Sequence, residues 1–437
     1  MKIYLISLGC AKNKVDSEVI IGNLVSNENV ELTLDMSSAD LIIINTCAFI
    51  ESAKTEAINT IFEVLDNKEE HQKVMVCGCL STRYASEIAE LIPEVDRFVA
   101  IKEYPKLKEI VNSMFNDHPF TVEISNLNRL VTGMKESVYV KISEGCNNRC
   151  SYCAIPLIRG SFVSRPMEDI VLEVENLVAN GAREINLISQ DTTNYGIDLY
   201  KEYKITELLQ KVCNITGDFK VRLLYLYPSL VSDELIDFIA NNNKVLPYFD
   251  IPLQHSETKM LKSMNRRGDK EFIVDLLNKI RDKIPNAILR TTMIVGFPGE
   301  EEEDFNGLLK FIKDIKFDRL GAFAYSAEED TLGATMPNQI PEDVKQSRLE
   351  ALYLVQDDIA LEANEKHLNS TTEVLITDYD PDSYAYIGRN YAFAPDDIDG
   401  FIFVYSSVEL QIGDVVKVKI LDASINTLSG EVIVDEA

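Results

Sequence analysis

The sequence predicts a multidomain α/β protein: an N-terminal parallel α/β sheet domain, a central partial (β/α)6 barrel and a small C-terminal all-β barrel. Residues 1–118 and 137–335 both alternate continuous apolar strands with helical stretches, the pattern of parallel sheets covered on both faces. The end of the chain instead carries short alternating strands separated by turns. A chain of 437 residues is also too long for one hydrophobic core.

The composition is that of an acidic globular protein. Apolar residues make up 46% of the chain, and no apolar run reaches the roughly eighteen residues that a membrane span needs. A net charge of −28 disfavours non-specific binding to nucleic acid and favours basic partners. The first residues show neither a charged leader nor a small-residue cleavage site, so we expect a cytoplasmic protein with no membrane association.

Three cysteines follow the predicted strands of the N-terminal domain. The strands are expected at 2–10, 41–47 and 73–79, and the helices after them at 16–27, 51–65 and 82–91. Cys10, Cys47 and Cys79 each stand at the end of a strand. Because sites in open parallel sheets form at the carboxyl edge, we expect these three thiols to converge.

The alternative for each cysteine is a small buried hydrophobic residue, as free cysteines often are. Cys77 is the competing candidate for the third position, since residues two apart on a strand share a face. Cys79 lies nearer the sheet edge and is preferred, and Cys77 is expected in the core. Eight cysteines in a cytosolic chain of this size favour metal binding or redox chemistry over a disulfide framework.

A linker is expected at 119–136, and the barrel with its long helix at 137–365. Barrel strands are predicted at 137–143, 184–189, 220–226, 248–251, 288–297 and 319–325. Helices are predicted near 167–180, 205–216, 233–242, 269–283 and 303–314. Polar residues follow several strands, at the end where barrel enzymes carry their sites. The Arg266-Arg267-Gly268 stretch is expected to be a solvated turn.

The loop after the first barrel strand holds Cys146, Cys150 and Cys153 in a C-x3-C-x2-C pattern. Three thiolates on one loop can bind three irons of a cubane iron–sulfur cluster and leave the fourth iron open to a small molecule. A zinc site would require a fourth ligand, which no residue close by in the sequence supplies. An iron–sulfur site with an open iron is therefore the favoured hypothesis.

This loop, placed after Gly145 at the end of a barrel strand, resembles that of the radical S-adenosylmethionine enzymes. The resemblance implies a 4Fe–4S cluster on Cys146, Cys150 and Cys153, whose open iron binds the amino and carboxylate groups of S-adenosylmethionine. Reductive cleavage would then give a 5′-deoxyadenosyl radical that abstracts hydrogen from carbon. On the same basis Tyr152 is expected near the adenine, and Gln190 and Arg290 are expected to line the barrel mouth.

The whole chain resembles the methylthiotransferases. The stretches that carry this match are Leu8-Gly9-Cys10-Ala11-Lys12-Asn13, Asn45-Thr46-Cys47, Gly78-Cys79 and Gly145-Cys146-Asn147-Asn148-Arg149-Cys150. The resemblance implies a second, auxiliary 4Fe–4S cluster on Cys10, Cys47 and Cys79, which carries sulfur or methylthio to the substrate. It also implies S-adenosylmethionine as both radical source and methyl donor, and a reductant such as a flavodoxin or ferredoxin.

The last domain, 366–437, resembles a TRAM domain. A long helix at 341–366 precedes it, strands are expected at 373–376, 401–405 and 415–421, and Gly413-Asp414 and Ser429-Gly430 are expected to be turns. From residue 368 onward the chain has thirteen acidic and three basic residues, a net charge of −10. A module that grips RNA carries basic residues among its aromatics, so direct RNA binding is not expected and a cationic partner is favoured.

Several stretches resemble one branch of the methylthiotransferases, the enzymes that modify an aspartate at its β-carbon in the basic ribosomal protein S twelve. They are 388–400, Ser189-Gln190-Asp191-Thr192-Thr193, 222–228 and Met264-Asn265-Arg266-Arg267-Gly268. Phe393 departs from that pattern, where a small or acidic residue is expected. The alternative is a tRNA methylthiotransferase that acts on adenosine, which the acidic C-terminal domain disfavours.

Overall fold

A computed structural model describes residues 1–115, 120–121 and 123–433 of the chain. The predicted fold class is confirmed, because an N-terminal parallel sheet, an open parallel β/α barrel and a closed C-terminal β-barrel follow one another. The predicted boundary between 118 and 119 and the last residues of the predicted 366–437 domain lie outside the described residues. Within the described ranges no helix is long and apolar enough to cross a membrane.

The N-terminal sheet is parallel, with the strand order β2-β1-β3-β4-β5. Its strands are β1 Lys2–Ser7, β2 Glu31–Leu32, β3 Leu41–Thr46, β4 Lys73–Gly78 and β5 Arg97–Ala100. Every residue of the central strand β3 is buried, since helices cover both faces of the sheet. The carboxyl ends of β1, β3 and β4 therefore meet at one edge.

The helices of this domain differ from the prediction in two places. They are α1 Ala11–Val25, α2 Glu51–Asn67, α3 Cys79–Arg83, α4 Ala85–Leu91 and α5 Leu107–Met114. Helix α1 begins at Ala11 rather than at 16, because the polar Lys12 and Asn13 of its first turn are buried although they break the apolar pattern. The predicted 82–91 helix is interrupted at Tyr84, and the first piece begins at Cys79.

The linker is tied to the domains on both sides of it. Arg129 forms buried ion pairs with Glu18 of α1 and, at 2.8 Å, with Glu173 of a barrel helix. Asn23 of α1 donates to the Ser125 carbonyl at 2.9 Å, and the Leu130 amide donates to the Glu18 carbonyl. The linker thus fixes α1 against the barrel.

The barrel strands run parallel in two sheets, β10-β9-β6 and β11-β12-β13. Their bounds, with those of the short antiparallel pair β7–β8, are β6 Ser137–Lys141, β7 Ser143–Glu144, β8 Val163–Ser164, β9 Glu184–Ile188, β10 Lys220–Leu223, β11 Tyr248–Asp250, β12 Ile288–Val295 and β13 Arg319–Ala324. The sheets adjoin where the Leu226 amide donates to the Asp250 carbonyl at 2.8 Å. The result is the predicted partial barrel.

The longer helices of this domain cover the outer face of the barrel. Its helices are α6 Ile155–Ile158, α7 Met167–Ala179, α8 Ile205–Cys213, α9 Asp233–Asn241, α10 Thr258–Ser263, α11 Lys270–Lys283, α12 Glu302–Ile315, α13 Leu332–Thr335 and α14 Glu342–Glu365. Alternate strand residues such as Val140, Leu187 and Leu289 pack with these helices in the largest apolar core. The remaining strand residues point into the barrel.

The C-terminal domain is a closed barrel with the strand order β14-β15-β16-β18-β17. Its strands are β14 Thr371–Asp380, β15 Ala385–Arg389, β16 Phe401–Tyr405, β17 Val415–Ala423 and β18 Thr427–Val432. The predicted Ser429-Gly430 turn is wrong, because both residues lie within β18. A Cβ at Gly430 would lie 2.3 Å from the Lys419 carbonyl oxygen, so the glycine allows a close strand approach and does not mark a turn.

The C-terminal domain closes the inside of the open barrel. Arg222 of β10 donates to the Tyr391 carbonyl at 2.9 Å, and Arg319 of β13 donates to the Ala392 carbonyl at 3.2 Å. Phe393 is fully buried with the Arg319 guanidinium 4.3 Å from its ring centroid. The departure at Phe393 thus has a structural role, since this ring anchors the domain inside the barrel.

Candidate active site

The three-cysteine loop is held on both sides by backbone hydrogen bonds. It begins at Gly145, whose φ of 75° lies in the left-handed region that favours glycine. A Cβ at this position would also lie 2.3 Å from the Ser161 carbonyl oxygen, so no other residue fits. The Cys146 amide donates to the Gly160 carbonyl at 3.2 Å. The Ser151 amide donates to the Met264 carbonyl at 3.0 Å. The loop therefore has a fixed conformation at the carboxyl end of the first barrel strand.

The thiols of this loop are free and only partly exposed. Burial raises the pKa of Cys146 to about 11 and that of Cys153 to about 12. Such thiols become thiolates when a bound metal supplies the missing positive charge. Thiolates are the ligands that iron–sulfur clusters take, so the donor set fits such a cluster.

Arg266 and Tyr152 lie beside the loop. An Nη of Arg266 is 3.8 Å from the Cys150 sulfur and 3.4 Å from the Tyr152 hydroxyl. The prediction of a solvated turn is wrong for Arg266, which is half-buried against the loop, while Arg267 is exposed. The Tyr152 ring packs against an apolar group that includes Met260 and Phe297.

Gln190 lies at the carboxyl end of β9, next to the loop. Its amide nitrogen donates to Glu144 at 2.8 Å, and its buried Oε1 has no hydrogen-bond partner among the described residues. The neighbouring Asp191 accepts from Asn148 at 2.7 Å, which ties the strand end to the cysteine loop. An unpaired carbonyl oxygen beside the loop can accept from the amino group of a bound ligand.

Arg290 is the third residue of β12 and lies beside Asp250, the last residue of β11. Its guanidinium pairs with Asp250 at 2.8 Å and with Asp399 of the C-terminal domain at 3.1 Å. These carboxylates neutralise the arginine, and the sequence pattern did not reveal them. The place of Arg290 at the barrel mouth stays a prediction.

The N-terminal cysteines lie at the carboxyl edge of their sheet. Cys10 is exposed at the start of α1, and Cys47 and Cys79 are buried. The Cys79 thiol donates to the Asn13 side-chain oxygen at 3.6 Å, and its interaction with Cys47 lowers the pKa of Cys47 and raises that of Cys79. A Cβ at Gly9 would lie 2.7 Å from the Cys47 Cβ, so the chain at Cys10 passes directly over Cys47.

Cys77 and Cys79 face different parts of the domain. Gly78, with a φ of 95°, ends β4 and turns the chain so that Cys79 begins α3. The expected strand through 79 is therefore one residue too long. Cys77 is fully buried in the apolar core on the α5 side, where burial raises its pKa to about 12, whereas Cys79 packs with the residues around Cys47.

The two sets of cysteines are neighbours in space. Ala154 and Ile158, which follow the three-cysteine loop, belong to the same apolar cluster as Ala48 and Cys79. Within the described ranges, no three cysteine, histidine or acidic side chains lie close enough together to hold a single metal ion. In a cubane cluster each cysteine binds its own iron, so the sulfurs stand further apart than the ligands of one ion.

A buried ionic network joins the two sets. Arg159 donates to Asp16 at 2.7 Å and to Glu144 at 3.0 Å, and it lies 3.5 Å from the Cys79 sulfur. Lys141 also pairs with Asp16 and Glu144. Burial alone would raise the pKa of Glu144, but the charges of Lys141 and Arg159 outweigh it and lower the pKa to about 2. Sequence patterns missed these residues, since an isolated buried charge has no periodic signal.

A three-cysteine loop at the carboxyl end of the first strand of an open parallel β/α barrel is the arrangement of radical S-adenosylmethionine enzymes, and residues 140–312 match the Radical SAM superfamily. Residues 2–100 match a family described as "Uncharacterized protein family UPF0004", and residues 370–433 match the TRAM domain.

Proteins described as ribosomal protein uS12 methylthiotransferase RimO match along the whole chain. The one from Clostridium novyi (strain NT) is 44% identical over 444 residues, 100% of this chain and 99% of that protein. The one from Acetivibrio thermocellus is 44% identical over 447 residues, 99% of this chain and 98% of that protein. The one from Clostridium perfringens (strain SM101) is 46% identical over 413 residues, 92% of each chain. The chain belongs to the RimO family of radical S-adenosylmethionine methylthiotransferases.

Solved structures at low identity share the fold. The radical S-adenosylmethionine methyltransferase TsrM from Kitasatospora setae, with cobalamin and a [4Fe-4S] cluster bound, has a TM-score of 0.56 at 14% identity and covers 76% of this chain and 77% of its own. The cobalamin-dependent S-adenosylmethionine radical enzyme OxsB has a TM-score of 0.52 at 11% identity and covers 81% of this chain and 56% of its own.

Proposed function

We propose that this protein is a radical S-adenosylmethionine enzyme that adds a methylthio group to the β-carbon of an aspartate in ribosomal protein uS12. The observation that carries the proposal is the position of the second set of cysteines. Cys79 packs in one apolar cluster with Ala154 and Ile158, directly beside the three-cysteine loop. A radical generated at the loop and a sulfur group held on the N-terminal cysteines can therefore serve the same substrate atom. An enzyme for a ribosomal protein acts in the cytoplasm, where ribosomes are made.

Cys146, Cys150 and Cys153 are the residues that would hold a [4Fe–4S] cluster with S-adenosylmethionine on its open iron. When bound, this pair supplies a 5′-deoxyadenosyl radical after one-electron reduction. A flavodoxin or ferredoxin is the proposed reductant. Tyr152 and the unpaired oxygen of Gln190 are proposed contacts of S-adenosylmethionine, since both groups border the loop.

Cys10, Cys47 and Cys79 are the residues that would hold the auxiliary cluster. When bound, that cluster supplies the site from which sulfur or methylthio is transferred, and S-adenosylmethionine supplies the methyl group. Arg159 places a buried positive charge 3.5 Å from Cys79, which stabilises a thiolate there. The exposure of Cys10 leaves this side of the site open toward the substrate.

The C-terminal domain is proposed to bind the basic substrate protein. Its hairpin between β14 and β15 exposes Tyr379 and Tyr384 beside the exposed acids Asp378 and Asp382. Aromatic rings flanked by carboxylates bind lysine and arginine side chains through cation–π contacts and ion pairs. The same surface repels a phosphate backbone, so it supports a protein substrate over tRNA.

The decisive experiment incubates anaerobically reconstituted enzyme with S-adenosylmethionine, a reductant and sulfide, together with either purified uS12 or bulk tRNA. The expected result is a mass gain of one methylthio group in place of one hydrogen on a uS12 aspartate, and none on tRNA. Modification of tRNA alone would contradict the proposal. Iron analysis of the same preparation should give about eight irons per chain, as two cubane clusters require.

A further inference from the structure

Lys12 is a buried cation without a counter-ion. The side chain is 8% exposed, and no carboxylate in the part of the chain that the structure describes forms an ion pair or hydrogen bond with it. Among the described residues its ammonium group contacts the Tyr225 ring, whose centroid lies 3.0 Å from Nζ. A buried ammonium group normally has an anionic partner, because removal from water is costly. The chain has 71 acidic and 43 basic residues, so a buried lysine without a carboxylate partner is unexpected. We infer that an anionic ligand is the partner of this lysine.

Neighbouring charged residues on the same helix are paired. Lys14 lies 3.9 Å from Asp396, and Asp16 pairs with Lys141 and Arg159. The unpaired state of Lys12 is therefore a local property and not a general feature of α1. Glu18, six residues after Lys12, is likewise neutralised by Arg129.

The position of Lys12 relates it to both halves of the site. It is the second residue of α1 and follows Cys10 by two positions. Tyr225 follows β10 at the carboxyl end of the barrel strands, and its amide donates to Asp250 at 2.9 Å while its carbonyl accepts from Thr192 at 3.0 Å. From the first turn of the helix that follows Cys10, the ammonium group thus reaches a residue at the carboxyl end of the barrel strands.

Tyr225 is held in a strained conformation. Its φ of 63° is in the left-handed region that bulky side chains rarely occupy, and strain of this kind persists where the surrounding structure fixes it, often at ligand sites. The two hydrogen bonds of its backbone fix the residue, and its ring lies beneath the Lys12 ammonium group. The aromatic face stabilises the cation without neutralising it, so the charge stays available to an anion.

We propose that Lys12 binds the side-chain carboxylate of the substrate aspartate and so selects aspartate over neutral residues. This inference rests on the proposed function. A carboxylate is the anion that such a substrate presents next to its reacting β-carbon. S-adenosylmethionine also carries a carboxylate, but that group is assigned to the cluster of the three-cysteine loop, whereas Lys12 lies on the helix that follows Cys10.

The test compares the full-length reconstituted enzyme with its Lys12→Met variant, in which the neutral side chain has a similar length. The probes are a synthetic uS12 peptide containing the target aspartate and the same peptide with asparagine in its place. The dissociation constants of both peptides and of S-adenosylmethionine are measured by equilibrium binding. We expect the wild-type protein to bind the aspartate peptide about tenfold or more tighter than the asparagine peptide, and Lys12→Met to bind both equally.

Matched variants exclude a general effect of structure or charge. Lys14→Met removes a positive charge two residues away and should keep the wild-type preference. Lys12→Arg keeps the positive charge and should keep part of the preference for the aspartate peptide. Iron content and melting temperature establish that each variant is folded and loaded. If Lys12→Met has wild-type iron and still prefers the aspartate peptide tenfold, the inference is overturned.

Three further outcomes distinguish a cofactor carboxylate, a failure of the proposed function and a failure of this inference alone. Weaker S-adenosylmethionine binding in Lys12→Met with an unchanged peptide preference would assign Lys12 to the cofactor and overturn the inference. If the wild-type protein neither binds nor modifies the aspartate peptide, the proposed function fails, and this inference fails with it. Wild-type modification of the peptide combined with an unchanged preference in Lys12→Met refutes the inference alone.

Discussion

The guanidinium group of Arg159 lies 3.5 Å from the sulfur of Cys79, although the two residues come from different domains. Arg159 follows the short helix α6 after the three-cysteine loop, and Cys79 begins α3 at the edge of the N-terminal sheet. The same arginine is bonded to Asp16 and Glu144. One side chain therefore fixes the relative position of the two cysteine sets.

Replacement of Arg159 by methionine should destabilise the protein. It leaves Asp16 and Glu144 buried with Lys141 as their shared cation, so the expected loss is about 3 kcal/mol and a melting temperature several degrees lower. Iron should fall toward half, because the loss of charge beside Cys79 weakens the N-terminal site. Thermal melting and iron analysis measure both effects.

The control is Arg183→Met, which removes an exposed pair with Asp218 and should change stability by less than about 1 kcal/mol. Equal melting temperatures for both variants would refute the prediction.

Cys150→Ala should lose cleavage of S-adenosylmethionine and about half of the bound iron. Cys150 is the central cysteine of the loop, and a cubane cluster held by two thiolates is not retained. Release of 5′-deoxyadenosine under reducing conditions measures cleavage. Cys213→Ala is the matched control, since Cys213 is a buried free cysteine in α8, and this variant should keep both properties. Full cleavage activity in Cys150→Ala would refute the assignment of this loop as the site of S-adenosylmethionine cleavage.

Cys79→Ala should keep cleavage of S-adenosylmethionine but lose insertion of the methylthio group. Cys79 borders Cys47 and Arg159, whereas Cys77 lies in the apolar core. Cys77→Ala should therefore keep insertion and lose only about 1 kcal/mol of stability through a small cavity. Product mass and 5′-deoxyadenosine release are measured for both variants. If Cys77→Ala loses insertion while Cys79→Ala retains it, the assignment of the third N-terminal ligand is reversed.

The stability of the protein should fall as the pH drops below about 6.5, in part through His367. Burial, aided by the positive charge of Arg319, lowers the pKa of this histidine in the folded state. The unfolded chain then binds the proton more readily, so its contribution to stability is present above pH 6.5 and is lost as the pH falls toward the folded pKa. Melting temperatures across this range should fall less in His367→Gln than in the wild type. His71→Gln, at an exposed position, should keep the wild-type slope. Identical slopes in all three proteins would contradict the prediction.

Much of the barrel could be predicted from the sequence. Strands such as β9 and β12 are continuous apolar runs between amphipathic helices, and the helix bounds agree within three residues. Local periodicity defines such elements because their burial repeats along the chain. The strands β15 and β18 escaped prediction, since Gly388 and Gly430 interrupt their patterns where neighbouring strands approach closely.

The contacts between domains could not be predicted in the same way. Arg159, Lys12 and Arg290 have partners more than a hundred residues away or on another domain, and nothing in their immediate sequence distinguishes them from surface charges. A usable signal did exist in the barrel strands. Glu184, Arg222 and Arg319 place charges at inward positions of otherwise apolar strands, which indicates that a polar element fills the barrel from inside.

That inner contact limits how such enzymes can be recombined. Arg222 and Arg319 donate hydrogen bonds to the backbone carbonyls of Tyr391 and Ala392. The C-terminal domain therefore closes the barrel from inside and also presents an outer surface. A chimera that exchanges the domain alone leaves these guanidinium groups facing a foreign loop. On the proposed role of the C-terminal domain in substrate binding, transfer of its substrate preference to another enzyme requires the inward-facing residues of the barrel strands to be exchanged together with the domain.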